Sequence, residues 1–252
     1  MKQIFAFETK EEYEEHEGLI KRLNEKLKVY QAELEANYKL IDKPKAIVWT
    51  SVELATTVFS NLPLPAFTNR DTIYISPELF KWRELFLKQL EGKNHAKVEA
   101  FYKNMSENQL LTIVGHELTH HSDLFVDEFD ADREDSIWFE EGMCDYLSRK
   151  RILNDQEFKD VTAVERELVD MFHGKYGNHS LDDFGEASYQ GSLSSILFNY
   201  WRSFLVVTYL VEERANNNIH QVFSEYHKWH ENGRKQPLTK YFEVESFFSG
   251  SV

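Results

Sequence analysis

Between residues 9 and 38, Ile20, Leu23, Leu27, Tyr30 and Leu34 fall at alternating steps of three and four in a stretch otherwise rich in Glu and Lys. That spacing predicts a helix with a single apolar seam. A helix packed on its own domain satisfies the seam, and so does a short coiled-coil contact with a partner; two heptads favour the first. The pattern then changes period. "PKAIVWTS" (44–51) and "DTIYISP" (71–77) are β-branched and aromatic between turn residues, which predicts two strands. "SNLPLPAFTNRD" between them holds two prolines and reads as a loop or an irregular edge.

Helices are expected at about 78–104 and 107–122, the second opening on "SENQ", a capping-box pattern with Ser106 at the N-cap. An acidic loop, "DLFVDEFDADRED" (123–135), leads into a further helix at about 136–150. The remainder reads as mostly helical to about residue 230, with a turn at "ANNN" (215–218). The expected class is therefore α+β, mostly helical, with a helical N-terminal extension over 1–42 and one larger unit over 43–252. No internal repeat or low-complexity linker interrupts it.

Composition narrows the partners. The 252 residues are 42% hydrophobic and 29% charged, which suits a soluble globular protein. A net charge of −14 without a basic cluster makes nucleic acid and anionic membranes poor partners. Cys144 is the only cysteine, so an intrachain disulfide and a Cys-rich zinc site are both excluded. The first residues turn acidic before any long apolar run and do not read as a signal peptide. "GSLSSILFNYWRSFLVVTYLV" (191–211) is interrupted by Asn199 and Arg202 and reads as a buried helix, not a membrane span. The expected location is cytoplasmic.

The candidate chemistry lies in "VGHELTHHSDLF" (114–125). On a helix His116 and His120 share a face, about 6 Å apart along the axis, and can direct two imidazoles at one ion. Glu117 then sits beside the open coordination position, where a carboxylate can handle a water proton. A third protein ligand is needed. Asp123 and Val126 stand where the metzincin pattern requires Gly and His, so that class fails. "WFEEGMCDYLS" (138–148) offers carboxylates on the next helix: Glu141 and Asp145 are four apart and share a face. One can bind metal while the other accepts a hydrogen bond from a ligand histidine.

This order of motifs resembles the gluzincins, the zinc peptidases that include thermolysin and the aminopeptidase N family. "WFEEGMCDY" is similar to the aminopeptidase stretch in which the Glu before Gly binds zinc, which implies Glu141 as third ligand. The interval from His120 is slightly longer than the family's, which keeps Glu140 as the alternative. "YWRSFLVVTYL" (200–210) is similar to the segment whose first Tyr donates a hydrogen bond to the tetrahedral intermediate; this implies Tyr200, with Tyr189 as second candidate.

The resemblance covers about residues 70–212. It implies a zincin-like fold, with a small mixed sheet packed on the active-site helix, and one Zn²⁺ held by His116, His120 and Glu141. It further implies Glu117 as general base, Asp145 orienting His116, and a peptide or protein substrate. Ile73, Tyr74 and Ile75 would line the cleft as an edge strand that takes an extended peptide by β-augmentation.

The Gly-x-Met-Glu-Asn segment that holds a substrate N-terminus in the aminopeptidases is absent, so an endopeptidase is favoured. The rival is a protein that keeps the metal site but acts by binding, with its N-terminal helix as docking element. The intact Glu117 argues against it. Of the remaining histidines, His121 is rotated about 100° from His120 and is expected to line the cleft or face solvent. His173, His179, His220, His227 and His230 read as surface residues. Cys144 reads as a small packing residue, and loop 123–135 as solvated, since its order does not match an EF-hand.

Overall fold

The computed structural model describes residues 1–127 and 135–248. Residues 128–134, the middle of the acidic loop, lie outside the described residues. The chain forms two compact units: Met1–Phe125 with Leu147–Phe158, and Val126–Tyr146 with Lys159–Val252.

The first unit contains a four-stranded sheet in the order β1 (Lys2–Ala6), β2 (Ala46–Thr50), β4 (Thr72–Ile75), β3 (Ala66–Thr68). β1, β2 and β4 run parallel, and β3 is antiparallel to β4. The sheet is thus mixed, and the protein is mostly helical, as the sequence pattern indicates. β2 is buried along its whole length, whereas β1 is largely exposed.

Two parts of the expectation need correction. Lys2–Ala6, assigned to a helical extension, is a strand. It is too exposed to carry an apolar signal, and its conformation comes from hydrogen bonding to β2. The second correction concerns Ile73, Tyr74 and Ile75. β4 is paired on both sides, by β2 and by β3, so its main-chain groups are taken and it cannot accept an added strand. On that side of the sheet the edge is β3, Ala66–Thr68, inside the stretch whose two prolines read as a loop.

α1 (Lys10–Asn37) carries the apolar seam, and every one of its five residues is buried within this unit. It packs along α5 (Glu107–Thr119). There Tyr30 and Thr119 share a buried hydroxyl hydrogen bond of 2.7 Å, and Arg22 grips both carboxylate oxygens of Glu107. The seam is therefore core, not a free coiled-coil surface. A short helical segment, α2 (Val52–Leu54), follows β2 and continues as a π-turn over Ala55–Phe59. The single helix expected at 78–104 is two, α3 (Leu79–Lys88) and α4 (Ala96–Lys103), with Gly92 at φ +78° between them.

α6 (Ile137–Ile152) is one continuous helix whose residues pass from the second unit to the first between Tyr146 and Leu147. The second unit is otherwise built from α7 (Asp155–Tyr176) from Lys159 onward, α8 (Leu193–Tyr209), α9 (Ile219–Glu231) and α10 (Leu238–Tyr241). A π-turn over Leu210–Arg214 ends α8 ahead of the expected turn at 215–218. Among the described residues no helix is long and apolar enough to cross a membrane.

Candidate metal centre

α5 starts where the sequence says it should. The Ser106 hydroxyl accepts from the Gln109 amide at 3.3 Å, and the Gln109 side chain accepts from the Ser106 amide at 2.6 Å. This capping box satisfies two otherwise orphaned amides and sets the helical phase ten residues ahead of His116. The helix ends sooner than expected, at Thr119, yet His120 at its C-cap keeps helical angles of φ −54° and ψ −24°. His116 and His120 therefore stay on one face. Their ε nitrogens converge to 3.1 Å. Two nitrogens bound to one tetrahedral Zn²⁺ at about 2.0–2.1 Å would stand roughly 3.3 Å apart. Glu117, next to His116, is also buried.

α5 lies close to its neighbours because Gly115 has no side chain. A Cβ there would stand 2.8 Å from Ile152 Cδ1, 3.1 Å from the Tyr30 ring and 3.2 Å from Ser148 Cβ. The C-terminal half of α6 is thus pressed against α5 within the first unit. Glu141 precedes Ser148 by seven residues, two turns of the same helix and the same face. With His116 and His120 it forms a group whose metal-ligating atoms all lie within 4.8 Å of one another. Two imidazoles and a carboxylate are a zinc donor set, and the spacing of the ε nitrogens fits such an ion. Glu140 is outside that group. It is buried one step around α6, where its charge, after burial itself, helps push the Tyr226 phenol pKa up. Asp145, one turn beyond Glu141, is buried on the same face.

The second unit seats Glu141 by an independent contact. A Cβ on Gly142 would fall 2.4 Å from the Ser203 carbonyl oxygen and 2.8 Å from Val207, so α6 and α8 cross almost backbone to backbone. Asp182 holds the first turn of α6. It accepts from Trp138 Nε1 at 3.1 Å and from the Thr239 amide at 3.1 Å, and it binds the Thr239 hydroxyl too. α8 is held by Arg202, which is buried against the Phe198 and Phe248 rings and donates to the His179 carbonyl at 3.0 Å.

The close crossing makes Gly142→Ala an expected structural lesion. The atom it meets first is backbone, which cannot rotate away. The cost should be about 3 kcal/mol, lowering the melting temperature by roughly 6–12 °C. Gly174→Ala, on a helix where an added Cβ meets nothing within 4 Å, should leave melting unchanged or raise it slightly. Equal melting of the two variants would remove the argument for a tight crossing.

The two tyrosines assigned from the sequence both belong to this unit. Tyr189, on a 3₁₀ turn (Glu186–Gln190), donates to Glu141 Oε1 at 3.0 Å, and its hydroxyl lies 3.1 Å from that of Tyr200 on α8. The two hydroxyls are therefore hydrogen-bond partners.

His121 departs from expectation. It is buried, and its Nε2 lies 2.8 Å from the Thr68 hydroxyl on the edge strand β3. That hydroxyl also lies within hydrogen-bond reach of two main-chain carbonyls, Asn69 at 3.1 Å and Thr72 at 3.3 Å. Burial, then the neighbouring His120, pushes the His121 pKa down to about 3, against a smaller opposing pull from Asp71. Its neutral ring ties the edge strand to the C-terminal end of α5.

Sequence reasoning missed this tether, because a contact 53 residues apart carries no local signal. His173, His179, His220 and His230 are exposed, and His227 is half-buried against Phe223 and Tyr226. Cys144 is fully buried. Asp127 and Asp135, at the ends of the described part of the acidic loop, both bind Arg234.

Comparison with protein-family models, with curated proteins and with solved structures finds no match to this chain.

Proposed function

We propose that this chain is a zinc-dependent peptidase of the gluzincin type, zincin-like in fold, with an internal peptide bond as its target. The observation that carries the reading is the convergence of His116, His120 and Glu141, with a buried carboxylate, Glu117, adjoining the first ligand. A Zn²⁺ ion held there would supply a Lewis acid that polarises a carbonyl and acidifies a water. Glu117 accepts the water proton and returns it to the leaving amine. Tyr200 donates its hydroxyl hydrogen bond to the oxyanion as charge develops on the carbonyl oxygen. Asp145 orients His116.

The extended substrate adds to β3 rather than to β4. Among the described residues β3 pairs with β4 alone, so its outer edge has main-chain groups to offer. It lies against α5, and His121 fixes its position through Thr68. Strand addition at that edge would recognise peptide backbone with little regard to sequence.

The test is a proteome-derived peptide library incubated with the protein, its products identified by mass spectrometry. Cleavage within peptides is expected, lost on chelation and restored by Zn²⁺. A zinc-loaded protein that leaves the library intact would refute the proposal.

A further inference from the structure

We infer that Tyr189 is a positioning residue that holds both the third metal ligand and the Tyr200 hydroxyl; this rests on the peptidase reading above. Tyr189 lies 3.0 Å from Glu141 Oε1 and 3.1 Å from the Tyr200 hydroxyl. An ionised carboxylate only accepts, so the one proton of Tyr189 goes to Glu141. The Tyr189 oxygen then accepts, and Tyr200 is the donor of the second bond. The chain has one direction: Tyr200 to Tyr189 to Glu141.

The rings are held for this. Phe184 is fully buried and packs against both, with centroids 5.8 Å from Tyr189 and 5.3 Å from Tyr200, the second edge-on. Tyr189 and Tyr200 meet edge to face at 6.5 Å. Neither ring needs to reorganise for the hydroxyls to meet.

Two consequences follow from the direction. A phenol donor on Glu141 fixes the rotation of that carboxylate, as hydrogen-bond partners of metal ligands do. The Tyr200 proton, meanwhile, rests on a neutral oxygen, a weaker acceptor than an oxyanion, and transfers its bond when negative charge appears nearby. Tyr189 keeps the donor in place without satisfying it fully.

The experiment uses Tyr189→Phe, Tyr200→Phe and the double variant of the full chain. Zinc affinity is read by competition with a chromophoric chelator. Kinetics are read at saturating Zn²⁺ on a peptide that the wild type cleaves. Tyr189→Phe should weaken zinc binding by about tenfold. Tyr200→Phe, reaching Glu141 only through Tyr189, should leave it within about twofold.

Tyr200→Phe should lower kcat on the order of 10²-fold with KM little changed. Tyr189→Phe should lower kcat about tenfold, again without a change in KM. The double variant should match Tyr200→Phe within about twofold, because one residue acts through the other. Wild-type zinc affinity in Tyr189→Phe, equal weakening in Tyr200→Phe, or additive kcat losses would each overturn the inference. A wild type that binds zinc but cleaves nothing refutes the peptidase reading, while the zinc affinities still decide whether Tyr189 holds Glu141. A wild type that binds no zinc overturns both.

Discussion

Glu117→Gln should keep a full complement of zinc and lose hydrolysis by about 10²- to 10⁴-fold. The substitution replaces one carboxylate oxygen by an amide nitrogen, so the side chain keeps its length and shape. Glu117 is buried on α5 between Gly115–His116 on one side and His120 on the other, and the helix around it is set by the Ser106 cap and the Tyr30–Thr119 bond. None of these depends on its charge. An amide cannot accept and then deliver a proton, so the loss should fall on kcat, with KM close to wild type. Zinc by elemental analysis and turnover on one cleaved peptide are the two measurements. Near-normal turnover in a zinc-loaded Glu117→Gln protein would sink the general-base role. Loss of zinc would mean that this carboxylate is a ligand rather than a base.

Removing a ligand should have the larger effect on metal. His116→Ala and Glu141→Ala should each leave the purified protein without stoichiometric zinc, and without activity at micromolar metal. A site of two ligands lacks the third bond that a catalytic zinc centre uses. Glu140→Ala is the control. Its carboxylate is buried beside Glu141 yet lies outside the converging group, so zinc should stay while melting temperature shifts. Retention of zinc in Glu141→Ala together with its loss in Glu140→Ala would move the third ligand by one residue and break the link to Tyr189. The His116→Ala result separates a metal site from a hydrogen-bonded histidine pair, since the latter would lose stability without any change in bound zinc.

Much of this centre was legible in the chain because its parts are local. The spacing of His116 and His120 needs only a helix, and the helix needs only the Ser106–Gln109 cap and an apolar run. The seam of α1 is likewise a matter of period. Glu141 was within reach because it too lies on a strongly patterned helix, although choosing it over Glu140 needed a resemblance. Which of the two joins the histidines is a question of rotation about α6, whose C-terminal half is held against α5 where Gly115 meets Ser148.

Pairings between distant segments were not legible. β1 is exposed and five residues long, so no pattern marks it, and only hydrogen bonds to β2 make it a strand. The short edge strand Ala66–Thr68 hides behind two prolines, so composition picks out β4 as the strand and the resemblance places the edge there. Composition reports how well a segment suits a sheet, whereas position within the sheet depends on which partners reach it.

Tyr189 and His121 make the same point with single side chains. Each has an ordinary local context, and each takes its role from a residue about fifty positions away, Glu141 in one case and Thr68 in the other. The sequence by itself determined the histidine pair of the candidate site, because its spacing is a property of one helix. The tertiary structure decided the hydrogen bonds around that site and the edge where a peptide could lie, because those come from contacts that no local period encodes.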